Sequence, residues 1–257
     1  MSKRINFAII AACLTFAFCA PGWCQLANGN PGAEVCCRNG LARHVGRTLD
    51  DWAQLGRYAA DDAALEAQPS PAGRVVFMGD SITDFWKLAT YFPGKPYVNR
   101  GISGQTTPQM LVRMFPDVID LHPAAVIILA GINDIAGNTG PETAKMIEEN
   151  VQAMTELAQA HGIKVILCSL TPVSDYTKYK QTPSHPPADI LEINRWIRAY
   201  ATMAHAVFAD YYAATVDSSG MYTAAYSRDG LHPNDDGYKR LAPVAEAAIE
   251  KALGGSQ

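Results

Sequence analysis

From Arg74 to the C-terminus the chain alternates short apolar runs with longer amphipathic ones, and this alternation restricts its architecture more than any other feature. The apolar runs lie near 74–78, 96–99, 124–130, 163–170 and 206–209, with helical periodicity between them and in a last segment from about Asp236 to Leu253. Strands separated by helices pair in parallel, because each crossover helix carries the chain back over the sheet. The pattern therefore predicts an α/β fold, a parallel sheet with helices on both faces. The run "IKVILCSL" is apolar without alternation, as a strand covered on both faces must be. The helix before it is predicted to open with a capping box at Thr139-Gly140-Pro141-Glu142, to bury Ile147, Val151, Met154 and Ala158, and to stop at Gly162. With 257 residues, 48% of them apolar, the chain can bury such a sheet in one large domain.

The sequence ahead of the sheet reads differently. "MSKRINFAIIAACLTFAFCAPGWCQ" places Lys3 and Arg4 before an apolar run from Ile5 to Ala20 that Pro21-Gly22 ends. This is the layout of a secretory signal peptide, and the run is short for a membrane span, which needs roughly 20 residues. Export with cleavage after Cys24 is expected, to a secreted or periplasmic destination and with no stable membrane anchor. The triplets before Cys19 and Cys24, "FAF" and "PGW", fit a lipidation motif poorly. The expected division is a signal peptide over 1–24, an arm and helix over 25–72, and the main domain over 73–257. Within the arm, "LDDWAQLGRYAADDAALEAQ" reads as a helix with Trp52, Leu55 and Ala59 on one face. Of six cysteines, Cys13, Cys19 and Cys24 fall in or at the edge of the signal. Cys36 and Cys37 could pair with Cys24, with other chains or not at all, and Cys168 reads as a buried thiol. A formal net charge of −4 gives no broad basic surface, so no nucleic-acid partner is expected.

In an open parallel sheet ligands bind off the carboxyl ends of the strands, so the residues after each strand carry the functional signal. These are Gly79-Asp80-Ser81, then Asn99 to Gly104, Gly131-Ile132-Asn133-Asp134, Ser169 to Pro172, and "RDGLHPND" at 228–235. Ser81-Ile82-Thr83-Asp84 has helix-capping spacing, so Ser81 could simply be an N-cap. It could instead be a nucleophile, provided that a base, a group orienting that base and donors for an oxyanion are at hand. Asp229 and His232, three apart in one Gly- and Pro-bounded turn, can supply orienting acid and base. The Ser81 amide, the Gly104 amide and the Asn133 side chain can supply the oxyanion hole. Asp80 and Asp134 are expected to orient backbone rather than to react.

In order and spacing this set resembles the SGNH subgroup of the GDSL esterases and lipases. "FMGDSIT" matches the first block of that family, "GISGQTT" the second with its glycine placed at Gly104, "GINDIAG" the third and "DGLHPND" the last. Ile82 stands where the family name has leucine. The resemblance implies a flavodoxin-like three-layer α/β/α sandwich, mostly of five strands. It also implies an acyl-serine mechanism with Ser81, Asp229 and His232 catalytic, and no metal or organic cofactor. The expected substrate is a short-chain carboxylic ester, small or on a glycan, with O-acetyl carbohydrate one candidate. Lysophospholipid and thioester hydrolysis, or a glycan-binding protein of the same fold without activity, are the alternatives. Phe85, Trp86, Tyr91 and Phe92 read as core or as an acyl-pocket wall. The loop bearing Tyr176, Tyr179 and "QTPSHPPAD" reads as a lid or specificity element. The histidines other than His232 show no partner pattern and are expected on the surface or in loops.

Overall fold

Five parallel strands form the sheet: β1 (Val75–Gly79), β2 (Tyr97–Gly101), β3 (Ala125–Leu129), β4 (Lys164–Cys168) and β5 (Val207–Ala209), in the order β2-β1-β3-β4-β5. They belong to a computed structural model that describes residues 50–254. The expected signal peptide, residues 25–49 of the expected arm, and Cys13, Cys19, Cys24, Cys36 and Cys37 lie outside the described residues. All five predicted strands are present within a residue or two of their expected limits. Every residue of β1 and β3 is buried, which is why these strands read as unbroken apolar runs.

The helices are α1 (Ala59–Glu66), α2 (Ser81–Asp84), α3 (Leu88–Tyr91), α4 (Thr107–Val112), α5 (Ile132–Ile135), α6 (Ala144–Ala160), α7 (Pro187–Met203), α8 (Tyr211–Thr215) and α9 (Asp235–Gly254). α6 and α7 pack on each other and on β4, and α9 packs along β3, β4 and β5. Helices flank the sheet in a three-layer α/β/α sandwich. The strand order reverses at β1, whose neighbours are β2 and β3. The register sets Gly79 level with Gly101 on one side and Leu129 on the other, so the chain leaves all three strands at one rim.

Several local expectations change. α6 buries Ile147, Val151, Met154 and Ala158 as its periodicity requires, but it starts at Ala144 with Thr143 as N-cap. Gly140 has φ 129°, and Thr139 donates to Glu142 and bonds the Thr106 hydroxyl, so 139–142 ties two loops together instead of opening the helix. The described part of the stretch expected as one helix holds a 3-10 turn at Leu55–Arg57 followed by α1, and Trp52, Leu55 and Ala59 are exposed. Its buried residues are Ala53 and Asp62, and the buried Asp62–Arg100 ion pair and hydrogen bonds hold it, not the predicted apolar face. Trp86 and Phe92 belong to the core against Phe77, whereas Phe85 is 42% exposed. Cys168 is buried, and burial pushes its thiol up to about 12, which leaves it inert. No helix among the described residues is long and apolar enough to cross a membrane.

Candidate active site

Asp80, not Ser81, caps α2. Its Oδ1 accepts the Ile82 amide at 2.9 Å, and Ser81 follows as the first helical residue. The one-residue difference leaves the Ser81 hydroxyl uncommitted to the cap and gives its amide no intrahelical acceptor. The hydroxyl meets His232 Nε2 at 2.9 Å, and His232 Nδ1 meets Asp229 Oδ2 at 2.8 Å. Asp229 Oδ1 accepts the amides of Leu231 at 3.0 Å and His232 at 2.8 Å. Burial alone would raise the Asp229 carboxyl, but hydrogen bonds from the His232 amide and ring and the Leu231 amide outweigh it. Its pKa lies below the ordinary carboxylate value. An ionised carboxylate only accepts, so Nδ1 bears a proton toward Asp229, and in the neutral imidazole Nε2 then presents its lone pair to the serine. Such a line can take the hydroxyl proton as the oxygen attacks an electrophile.

The turn holding Asp229 is braced by the loop after β4, which the sequence marks as a lid or specificity element. Ser174 N donates to the Gly230 carbonyl at 2.8 Å, Gly230 N donates to Tyr176 Oη at 3.0 Å, and Gln181 Nε2 donates to the Asp229 carbonyl at 3.3 Å. The Phe85 ring lies 5.5 Å from the His232 ring, and the Arg228 guanidinium 5.9 Å from Phe85, so of the four aromatics Phe85 is the one packed on the His232 ring. His185 in the same loop is buried rather than superficial. Burial lowers its pKa and the nearby His232 adds to this, while its Nδ1 lies 3.2 Å from the Gln181 carbonyl. No sequence pattern marked it.

Gly104 and Asn133 follow the strands on either side of β1. A Cβ on Gly101 would lie 2.2 Å from the Asp84 backbone nitrogen, so that glycine serves close packing of α2 on β2. Gly104 sits in the following turn with φ 81°, and its amide donates to no backbone acceptor among the described residues. Asn133 is 7% exposed, with Nδ2 donating to the Gln105 carbonyl at 3.0 Å. Asn138, which the sequence reading passed over, joins the two elements. Its Nδ2 donates to the Gly104 carbonyl at 3.1 Å and to Asn133 Oδ1 at 3.0 Å, which fixes the Asn133 amide with its nitrogen free of that contact. Asp134 accepts the amide and hydroxyl of Thr107 at the start of α4, the orienting role expected of it.

Asp80 carries a testable electrostatic signature. It is fully buried and its Oδ2 has no partner among the described residues. Burial pushes its carboxyl up to about 6, against the opposing hydrogen bond from Ile82. The folded value lies above the unfolded one, roughly 4. The stability this group contributes is thus present below about pH 4 and lost as pH rises through about 6. Asp80→Asn keeps the cap acceptor and removes the titration. Its melting temperature is expected to fall less than that of the wild type between about pH 4 and 7. Equal slopes in scanning calorimetry would show that Asp80 ionises in place without cost.

A sequence model of the GDSL-like lipase/acylhydrolase family matches residues 77–240. Among solved structures, a GDSL-like lipase from Bacteroides thetaiotaomicron is 39% identical with a TM-score of 0.72, covering 79% of this chain and 100% of that one. Among curated proteins, the uncharacterized lipoprotein YqeF of Bacillus subtilis is 30% identical over 40% of this chain and 46% of its own length. Esterase TesA of Pseudomonas aeruginosa is 29% identical over 53% of this chain and 60% of its own. The chain thus spans about half the length of these two curated relatives. The family match takes in well over half of the chain and includes Ser81, Gly104, Asn133, Asp229 and His232, and the chain belongs to the GDSL-like lipase/acylhydrolase family.

Proposed function

We propose that this protein is an exported serine esterase that cleaves short-chain carboxylic esters through an acyl-serine intermediate. The observation that carries the reading is the unbroken line from Ser81 Oγ through His232 to Asp229, at 2.9 and 2.8 Å. Ser81 Oγ attacks the ester carbonyl carbon as its proton passes to His232 Nε2, and Asp229 stabilises the resulting imidazolium. The carbonyl oxygen becomes an oxyanion that accepts from the Ser81 and Gly104 amides and from Asn133 Nδ2. Collapse expels the alcohol, which takes the proton from His232. Water, deprotonated by the same imidazole, then attacks the acyl-serine, and collapse releases the acid and returns the proton to Ser81.

Support for export is the N-terminal pattern of Lys3, Arg4 and the apolar run from Ile5, together with the likeness to a lipoprotein. An exported esterase would meet acylated carbohydrate outside the cell, so O-acetyl glycans are the natural substrate class to test. The experiment is hydrolysis of nitrophenyl esters from acetyl to palmitoyl, and of an acetylated oligosaccharide, by wild type and Ser81→Ala. Turnover concentrated on acetyl esters and lost with Ser81 is the expected result. Rates that climb with acyl length would favour lipolysis, and no turnover by folded wild type would sink the esterase reading.

Asn138 gives a finer test of the oxyanion assignment. Asn138→Ala removes the tie between Gly104 and Asn133, and a lost hydrogen bond of this kind is worth about 1 kcal/mol. A fall in kcat of about threefold to tenfold on nitrophenyl acetate is expected, with KM held within about twofold. An unchanged kcat would show that the two donors keep their places without it.

A further inference from the structure

We propose that residues 51–62, ahead of the family-matched region, form a strap that positions Asn133 by way of Gln105, an inference that rests on Asn133 acting as an oxyanion donor. Gln105 is completely buried, and both ends of its side-chain amide are held. Its Nε2 donates to the Ala53 carbonyl at 2.8 Å, and its Oε1 accepts from Arg113 Nε at 2.8 Å. Held at both ends, the side chain fixes its own peptide, whose carbonyl accepts Asn133 Nδ2 at 3.0 Å. The strap thus reaches the amide that the mechanism aims at the oxyanion through two hydrogen bonds, joined by the Gln105 residue itself.

The same strap grips the Gly104 loop at both ends. The Tyr58 hydroxyl donates to the Gly101 carbonyl at the end of β2, and Gln109 Nε2 donates to the Trp52 carbonyl at 2.6 Å. Gln109 Oε1 in turn accepts the Thr106 amide at 3.1 Å, closing the loop against α4. Arg57 lies 3.6 Å from Asp84, whose Oδ2 accepts the amide and hydroxyl of Ser103 at 3.1 and 2.6 Å. The strap is itself anchored by Asp62, which accepts from Arg100 Nε and Nη2 at 2.8 and 2.6 Å. The Arg100 guanidinium also lies 4.5 Å from the Tyr58 ring centre. Both members of that ion pair are buried, so breaking it would strand a charge and damage the fold. The informative substitutions are therefore the uncharged ones, Gln105→Met and Tyr58→Phe.

The test measures kcat and KM on nitrophenyl acetate with the full chain, for Gln105→Met and Tyr58→Phe in wild-type and Asn133→Ala backgrounds, with Ser81→Ala as control. Gln105→Met is expected to lower kcat about tenfold with KM within about twofold, and to have less than about a twofold effect once Asn133 is alanine. Tyr58→Phe is expected to lower kcat about threefold in the same pattern, and it carries the test if Gln105→Met fails to fold. A purely structural strap would lower the melting temperature and leave kcat per folded molecule unchanged. That result, or losses that multiply in full with Asn133→Ala, overturns the proposal. If Asn133→Ala keeps full kcat while Ser81→Ala is dead, the oxyanion reading fails and the strap proposal falls with it. If both lose activity and the strap variants do not, the strap proposal alone fails.

Discussion

Ser81→Ala is expected to lower kcat on nitrophenyl acetate by at least about 10⁴-fold while the protein stays folded. The expectation of a silent structural effect comes from the cap. Asp80 holds the first turn of α2 through the Ile82 amide, and the Ser81 hydroxyl reaches His232 Nε2 instead. On the proposed mechanism, removing that hydroxyl deletes the nucleophile and leaves the helix start intact. His232→Ala should cost a similar factor, because a serine without its base is a poor nucleophile at neutral pH. The double variant should be little worse than either single one, since the two groups act as a unit. A fluorophosphonate probe gives an independent readout: it should label the wild type at Ser81 and leave Ser81→Ala unlabelled. Turnover by Ser81→Ala within about tenfold of wild type would place the nucleophile elsewhere.

What the sequence revealed, and what it hid, divides by the kind of contact involved. β1 and β3 were legible because strands covered on both faces have no polar positions to obscure them. The candidate site was legible because a parallel sheet sends its chemistry to strand ends, so five residues from four well-separated segments could be read as one set. The Ser81 cap was ambiguous because Asp80 and Ser81 are both good caps, and the backbone path out of β1 chooses between them. The start of α6 was misplaced because the Thr139 and Glu142 side chains bond to each other and not to each other's backbone amides, across a glycine in a non-helical conformation, and Thr143 caps the helix instead. The strap was invisible for a different reason. Its contacts to Gln105 and Gln109 run through the carbonyls of Ala53 and Trp52, and a backbone acceptor leaves no trace in residue identity. His185 was missed likewise, since its burial and its approach to the Gln181 carbonyl follow from how the loop after β4 folds.

Asn133→Ala should cost about 3 kcal/mol in the transition state, a fall in kcat of roughly 10²- to 10³-fold, with KM nearly unchanged. The argument turns on what the amide does before substrate arrives. Oδ1 accepts from Asn138, one hydrogen of Nδ2 is donated to the Gln105 carbonyl, and the second hydrogen is left for the oxyanion. The donor is thereby oriented in advance, and little reorganisation is needed as charge develops on the carbonyl oxygen. A ground-state carbonyl oxygen carries less charge and sits further away, so the benefit falls on kcat rather than on binding. Asn133→Asp sharpens the test, because a carboxylate at that place would face both the Gln105 carbonyl and the forming oxyanion. It should be at least as slow as the alanine variant despite its closer shape. Since Asn133 also ties two loops, each variant must be compared per folded molecule, with melting temperature as the control. A large rise in KM with kcat preserved would make Asn133 a substrate-binding residue and leave the oxyanion to the Ser81 and Gly104 amides.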